Sequence, residues 1–396
     1  FNWYYCDTAK TATSEVIGSD CTQVTTPGGL TYVGSSLNLT PDYRGKHIVA
    51  VEVATNTSNK PNAGRAQLVS VSIGPINMAP VFDSVPIVSG VAHVGETLTA
   101  SLPTVSSYPT STRAYDWWSC SAALNSSVST MPSNCVLLTD LGNADLRVTS
   151  AMAGRFIALV VTAVNDLGSV AKSSIAAVDV TRSPTNSSEP VISGAALVGS
   201  PSPLSVSSGT WTSSPLATAS DYSYLWYLCT QSHSSAPNTL PADCVAVTGQ
   251  TASSVQPTDA MAGKYLLAKV TLTTRSNKVG AGVASVYTST TDAVRNRPGF
   301  NGTAPTISGT VHVGETLSAT LLNVTGFEVP TSSYQWWLCN DIVSAGTADI
   351  TATCSVIDGS SDTNLVVTSA MAGKRIAVVQ TATNNQGSAT KSSATT

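Results

Sequence analysis

Tyr224-Leu225-Trp226-Tyr227-Leu228-Cys229, with Cys244 fifteen positions further on, is the most telling stretch of this chain. A run of aromatic and apolar residues this short suits a β-strand, and a cysteine closes it. The pattern occurs four times, the other copies being Phe1–Cys6 before Cys21, Tyr115–Cys120 before Cys135 and Tyr334–Cys339 before Cys354. The first cysteines recur every 109 to 114 residues. Such regularity means internal repeats. Paired cysteines at one fixed gap mean oxidised loops, and hence an exported protein. The expected disulfides are Cys6–Cys21, Cys120–Cys135, Cys229–Cys244 and Cys339–Cys354.

Laying the copies over one another yields a template. A proline-led strand opens it (Ala79-Pro80, Glu189-Pro190, Ala304-Pro305), and a glycine-punctuated strand follows (His93–Leu98, His312–Leu317). After the disulfide loop comes a corner: Met152-Ala153-Gly154-Arg155, Met261-Ala262-Gly263-Lys264 and Met371-Ala372-Gly373-Lys374, with Tyr43-Arg44-Gly45-Lys46 in the first copy. A long strand leaves that corner and turns at Asn165-Asp166-Leu167-Gly168 or Asn384-Asn385-Gln386-Gly387. Asn and Gly suit a tight hairpin. About seven short strands per hundred residues read as a β-sandwich. The expected domains are a partial repeat at 1–78 and full repeats at 79–187, 188–300 and 301–396. Ile73–Met78, Ser183–Ser188 and Arg295–Thr303 read as short linkers, which favour an extended string of domains. The chain starts inside a repeat, since Phe1 aligns with Tyr115. The expectation is that the missing strands lie upstream, or come from a neighbouring molecule by strand donation.

Side chains alternate faces along a strand. Trp3, Trp117, Trp226 and Trp336 share one face, and each should anchor a core. The cysteines lie on the other face, so these bridges cannot join two sheets through the core. They should clip the intervening loop to the sandwich exterior. Tyr4, Trp118, Tyr227 and Trp337 share the cysteine face. They are either covered by the disulfide loop or free to meet a glycan, another domain or another subunit.

At these residues the chain resembles the bacterial immunoglobulin-like repeats of large secreted and cell-surface proteins, common in actinobacteria. Gly209-Thr210-Trp211 and Tyr224–Cys229 match the front of that pattern, and Thr381–Gly387 matches its end. Two places depart from it. The corner carries Met-Ala-Gly where an acidic residue is usual, and the third repeat has Thr274-Arg275-Ser276-Asn277 in place of the Asn-x-x-Gly ending. The resemblance implies tandem immunoglobulin-like β-sandwiches with stalk, adhesin or surface-layer duty, and no catalysis.

Composition narrows the function further. Ser and Thr make up 108 of 396 residues and charged residues only 11%, with a net charge of −4. Nineteen scattered Lys and Arg do not make the basic stripe a nucleic acid requires. No apolar run approaches the roughly 20 residues of a membrane span, and Phe156–Val164 reads as a buried strand. No signal peptide is visible, so the chain reads as mature or as an excerpt. His93 and His312 occupy one repeat position and read as strand-surface residues. With His47 and His233 they lack the further ligands a metal or catalytic site needs, so neither metal nor cofactor is expected. A calcium site between domains would have to draw on linker carboxylates such as Asp179, Glu189 or Asp292. Six Asn-x-Ser/Thr sequons, at Asn38, Asn56, Asn125, Asn186, Asn301 and Asn323, match the number chance supplies. The expected function is an extracellular structural protein, not an enzyme. It would form or decorate a fibre, sheath, stalk or surface layer as a homo-oligomer or polymer. An adhesin or glycan-binding module and a virion appendage are the alternatives.

Overall fold

The computed structural model describes residues 1–56, 64–138, 144–360 and 362–396. The third position of the Asn56 sequon, Ser58, lies outside the described residues. The chain is all β: a tandem of immunoglobulin-like sandwiches, each with one disulfide stapling a loop. In the second repeat a four-stranded antiparallel sheet runs in the order Cys135–Leu138, Thr112–Cys120, Phe156–Asn165, Gly168–Ser173. A three-stranded sheet of Ile87–Gly90, Thr97–Ser101 and Asp145–Arg147 packs on it. The third and fourth repeats repeat this plan, with Tyr222–Cys229 and Thr331–Cys339 as the aromatic strands. The first repeat supplies the four-stranded sheet, Cys21–Gln23, Asn2–Cys6, His47–Thr55 and Arg65–Val69, with no opposing three-stranded sheet among the described residues.

The strand alternation explains where each core sits. Trp117, Trp226 and Trp336 are at most 1% exposed and lie at the centres of three separate clusters. Trp226 Nε1 donates to the Ala252 carbonyl at 2.9 Å and Trp336 Nε1 to that of Asp362 at 2.8 Å. Trp3 stays half-buried and donates to the Gly34 carbonyl at 2.9 Å. Phe1, on the same face, is 58% exposed. Among the described residues, the Trp3 face lacks the cover that the other three tryptophans receive.

At each corner a single 3-10 turn ends on a glycine with a left-handed backbone. Gly45, Gly154, Gly263 and Gly373 have φ of 71°, 76°, 76° and 77°. Only glycine takes that conformation without a steric cost, which accounts for its place in all four copies.

Two segments read as linkers are strands. Ser183–Ser188 falls within Arg182–Ser188, which pairs with Thr210–Ser214. Arg295–Thr303 contains Gly299–Asn301, which pairs with Asn323–Thr325. Their Pro and Asn mark edge strands, where a missing backbone donor is tolerated.

The chain divides into two compact units. Unit 1 is Phe1–Ser183 with Arg275–Gly282, and unit 2 is Pro184–Thr274 with Val283–Thr396. Each unit has the same internal joint. In unit 1, Asn165 Nδ2 donates to the carbonyls of Met78 at 2.9 Å and Pro109 at 3.1 Å. In unit 2, Asn384 Nδ2 donates to those of Asn296 at 3.0 Å and Glu328 at 3.2 Å. The corner glycine before the joint, Gly45 or Gly263, packs against an aromatic ring, Tyr108 or Phe327.

Candidate functional site

The cysteine face of each aromatic strand carries the residues with the strongest claim to a function. In every repeat the two cysteines sit directly opposite each other on neighbouring antiparallel strands. Their Cα atoms are 3.9–4.0 Å apart. The bridges lie outside the tryptophan core, yet the sulfurs are not on the open surface. The disulfide loop folds back over them and makes a second, smaller cluster. In the fourth repeat Cys339, Cys354, Val343, Ile350 and Ala377 form it, with Trp337 packed against them. Trp118 packs beside Leu124, Ala158 and Ala176 in the second repeat, and Tyr4 beside Cys6, Val49, Val51 and Val69 in the first. Tyr227 is buried among Cys229, Cys244 and Leu267, with the ring of Tyr287 at 6.2 Å. Trp118 and Trp337 thus line the underside of their loops, through Leu124 and Val128 in one and Val343 and Ile350 in the other, whereas Tyr227 is covered from its own sheet. The indole N–H groups of Trp118 and Trp337 are buried there with no acceptor among the described residues.

One of these loops also holds a group of potential metal ligands, found among the described residues. Atoms of Cys229, His233, Asp243 and Cys244 lie within 4.8 Å of one another. His233 Nε2 is 2.9 Å from Asp243 Oδ1, and the Gln231 amide donates to Asp243 Oδ2 at 3.0 Å. Burial pushes the Asp243 carboxyl up, but these hydrogen bonds and His233 hold it below the usual range. The two sulfurs are bonded to each other, so the thiolates a structural metal needs are spent. The first repeat has a parallel arrangement. Asp20, beside Cys21, accepts from Lys10 Nζ at 2.6 Å and from Thr8 Oγ1 at 2.7 Å. Lys10 first, then Thr8, hold its carboxyl far below the ordinary range. In both loops the acid before the second cysteine ties down the chain just after the first.

The histidines at the shared repeat position do not behave alike. His312 is exposed, and its Nδ1 lies 3.0 Å from the Val313 carbonyl. His93, read as a surface residue, is only 3% exposed. Its Nδ1 lies 2.9 Å from Thr181 Oγ1 and 3.3 Å from Ser276 Oγ, and its Nε2 lies 3.1 Å from Ser183 Oγ. Burial pushes its pKa down, and the nearby Lys278 ammonium adds to that. The cover is Arg275–Gly282, the very segment where the third repeat departs from the Asn-x-x-Gly ending. Asp179, one of the carboxylates considered for calcium, accepts from Arg275 Nη2 on both oxygens at 2.7 Å. Glu189 and Asp292 are exposed. A cleft of about 390 Å³ beside His93 is lined by Val88, Val91, Ala92, Ile157, Ile175 and Asn277 among others, with no titratable side chain in its wall.

No protein-family model matches the chain, and no curated protein does. Several solved structures are similar to it. The FN1–FN3 domains of chicken CNTN1 align at 15% identity over 80% of this chain and 99% of that one, with a TM-score of 0.22. Three N-terminal domains of the bacteriophage RB49 highly immunogenic outer capsid protein align at 17% identity over 80% and 97%, with a TM-score of 0.25. The N-terminal four Ig domains of Dscam1 align at 11% identity over 80% and 77%, with a TM-score of 0.18. At such scores the fold assignment rests on the sheets described above. Among the described residues no helix is long and apolar enough to cross a membrane. Four disulfides fit an oxidising, extracytoplasmic compartment.

Proposed function

We propose that this chain is a segment of an extracellular structural repeat protein of the bacterial immunoglobulin-like kind, which builds or decorates a surface fibre, sheath, stalk or surface layer by contacts between identical chains. The observation that carries this reading is the fourfold recurrence of one stapled element: an aromatic strand bridged to its neighbour at the same cross-strand position. Stretching such an element must shear antiparallel strands, and the bridge limits how much chain is released. The function is mechanical spacing, and assembly follows from lateral or end-to-end contacts. Negative-stain microscopy and sedimentation of the purified chain test it. Ordered assemblies or a rise in mass with concentration are expected. A dispersed monomer at high concentration overturns it.

The glycan-binding alternative needs Trp118 or Trp337 to face a ligand. Their packing beneath the disulfide loops favours the structural reading. A glycan array with Trp118→Ala and Trp337→Ala chains separates the two, since sugar binding lost in both variants would reinstate the alternative.

A further inference from the structure

A sheet edge left open invites pairing with another strand, and each four-stranded sheet here has two edges. One edge strand has only three or four residues: Cys21–Gln23, Cys135–Leu138, Cys244–Ala246 and Cys354–Val356. The other has five or six: Arg65–Val69, Gly168–Ser173, Val283–Tyr287 and Gly387–Ser392. In three repeats the disulfide loop folds over the end of the longer strand, through the residue eight places past the first cysteine. Ser14 exchanges both backbone hydrogen bonds with Val69, at 2.7 and 3.2 Å. The Ser173 amide donates to the Val128 carbonyl at 2.9 Å, and the Ser392 amide to that of Thr347 at 2.9 Å. Val69, Ser173 and Ser392 are at most 4% exposed. Two of these strands also carry a lysine just before that end, Lys172 and Lys391. A charge on an edge strand discourages pairing with another sheet.

The third repeat has neither guard. Its residue at that loop position is Pro237, which has no backbone N–H to give. Tyr287 stands where the second and fourth repeats have Ser173 and Ser392, and among the described residues no loop residue bonds its backbone. The loop keeps its other tie, the Thr290 amide donating to the His233 carbonyl at 2.9 Å. It is therefore held in place but stops short of the strand. Val286 takes the place of the lysine. Val283-Ala284-Ser285-Val286-Tyr287 carries no charge, Val283 is 55% exposed, Ser285 is exposed and Tyr287 is half-buried. The Thr288 amide turns inward to the Ala268 carbonyl at 2.9 Å. Alternation then points the backbone groups of residues 283, 285 and 287 outward, away from Tyr265–Thr273.

We propose that Val283–Tyr287 pairs antiparallel with the same strand of a second copy, about a two-fold axis at Ser285. Ser285 then faces Ser285 of the other copy and Val283 faces Tyr287, so that outward backbone groups meet outward backbone groups. Two four-stranded sheets become one continuous sheet across the axis. The contact is isologous, each strand supplying donors and acceptors to the other. An aromatic ring beside a β-branched residue, valine beside alanine and two facing hydroxyls are favourable cross-strand neighbours, and no like charges oppose each other. The same joint built from Gly168–Ser173 or Gly387–Ser392 would carry a lysine from each copy. Self-complementarity singles out a second copy as the occupant: the strand offers no charge to a charged partner, and the two-fold axis gives every outward group a mate. This inference rests on the assembly reading and names one lateral contact within it.

Cross-linking of the full chain tests the register. Ser285→Cys places a thiol on the axis, where facing Cα atoms lie about 5.5 Å apart, within disulfide reach. Mild oxidation should convert it to a covalent dimer. Val283→Cys should not cross-link, because its two copies sit four residues out of register, roughly 14 Å apart. Sedimentation velocity across a concentration series is the second arm. Val286→Lys installs the lysine of the second and fourth repeats and should weaken self-association about tenfold or more. Val245→Lys, on the opposite edge of the same sheet, should associate as the wild type does. A Ser285→Cys chain that forms no covalent dimer at concentrations where the wild type associates overturns this inference and leaves the assembly reading standing. So does a Val286→Lys chain that associates like the wild type, or a Val245→Lys chain that loses association. A wild-type chain that stays monomeric at every concentration overturns both.

Discussion

Trp336 and Trp226 each do two things at once: they fill a core and tie down a loop carbonyl through the indole N–H. Truncating either to alanine should cost about 3–5 kcal/mol by loss of packing, and phenylalanine should leave the carbonyl without its donor. Urea unfolding of the whole chain, read by the fluorescence of the remaining tryptophans, checks this. His93 makes a second prediction. Its folded pKa lies below the ordinary 6.5 through burial and Lys278, with Glu96 acting the other way. The unfolded chain then binds more protons than the folded one as pH falls below 6.5. Stability of unit 1 is therefore present above that pH and is lost on acidification toward the lowered folded pKa. Protection of the amides at 91–96 and 275–282, after correction for the pH dependence of intrinsic exchange, should fall as the pH drops below about 6.5, and His93→Gln should flatten that dependence. At this scale the sequence misleads. His93 and His312 stand in the same motif, and only the cover over one of them separates a buried histidine from an exposed one.

Among the elements, the disulfide loop is the unit of construction. Replacing Cys120 and Cys135 with serine should cost roughly 3 kcal/mol by freeing a loop of about fifteen residues in the unfolded chain. It should also expose Trp118, raising acrylamide quenching of its fluorescence. The corner offers a cleaner comparison. Gly45 and Gly373 share the same left-handed backbone, so alanine strains both alike. At Gly45 the added carbon would sit 2.8 Å from the Tyr108 ring, whereas at Gly373 nothing lies within 4 Å. Gly45→Ala should lower the midpoint of thermal unfolding further than Gly373→Ala, by an overpacking cost of about 1–3 kcal/mol. The strands, the turns and the faces of the aromatic residues were legible because period-two alternation needs no tertiary information. The supposed linkers were not. Proline and asparagine mark an edge strand as readily as a loop, and only the partner strand decides between them.

For the molecule as a whole, the period that matters is two repeats. Asn165 and Asn384 make the same pair of hydrogen bonds inside their units. Gly45–Tyr108 and Gly263–Phe327 form the same packing. Asn384→Ala should loosen unit 2 by about 1–3 kcal/mol, the cost of leaving two carbonyls without their donor, with calorimetry as the check. The sequence alone determined the β-sandwich plan, the four bridges and the tryptophan faces, since these follow from local alternation and from a cysteine spacing that short strands can close. Tertiary structure alone decided what covers each surface: loops over Trp118 and Trp337, Arg275–Gly282 over His93, and none of the described residues over Val311–Glu315. Cover depends on segments far apart in the chain meeting in space, and no local pattern encodes that meeting.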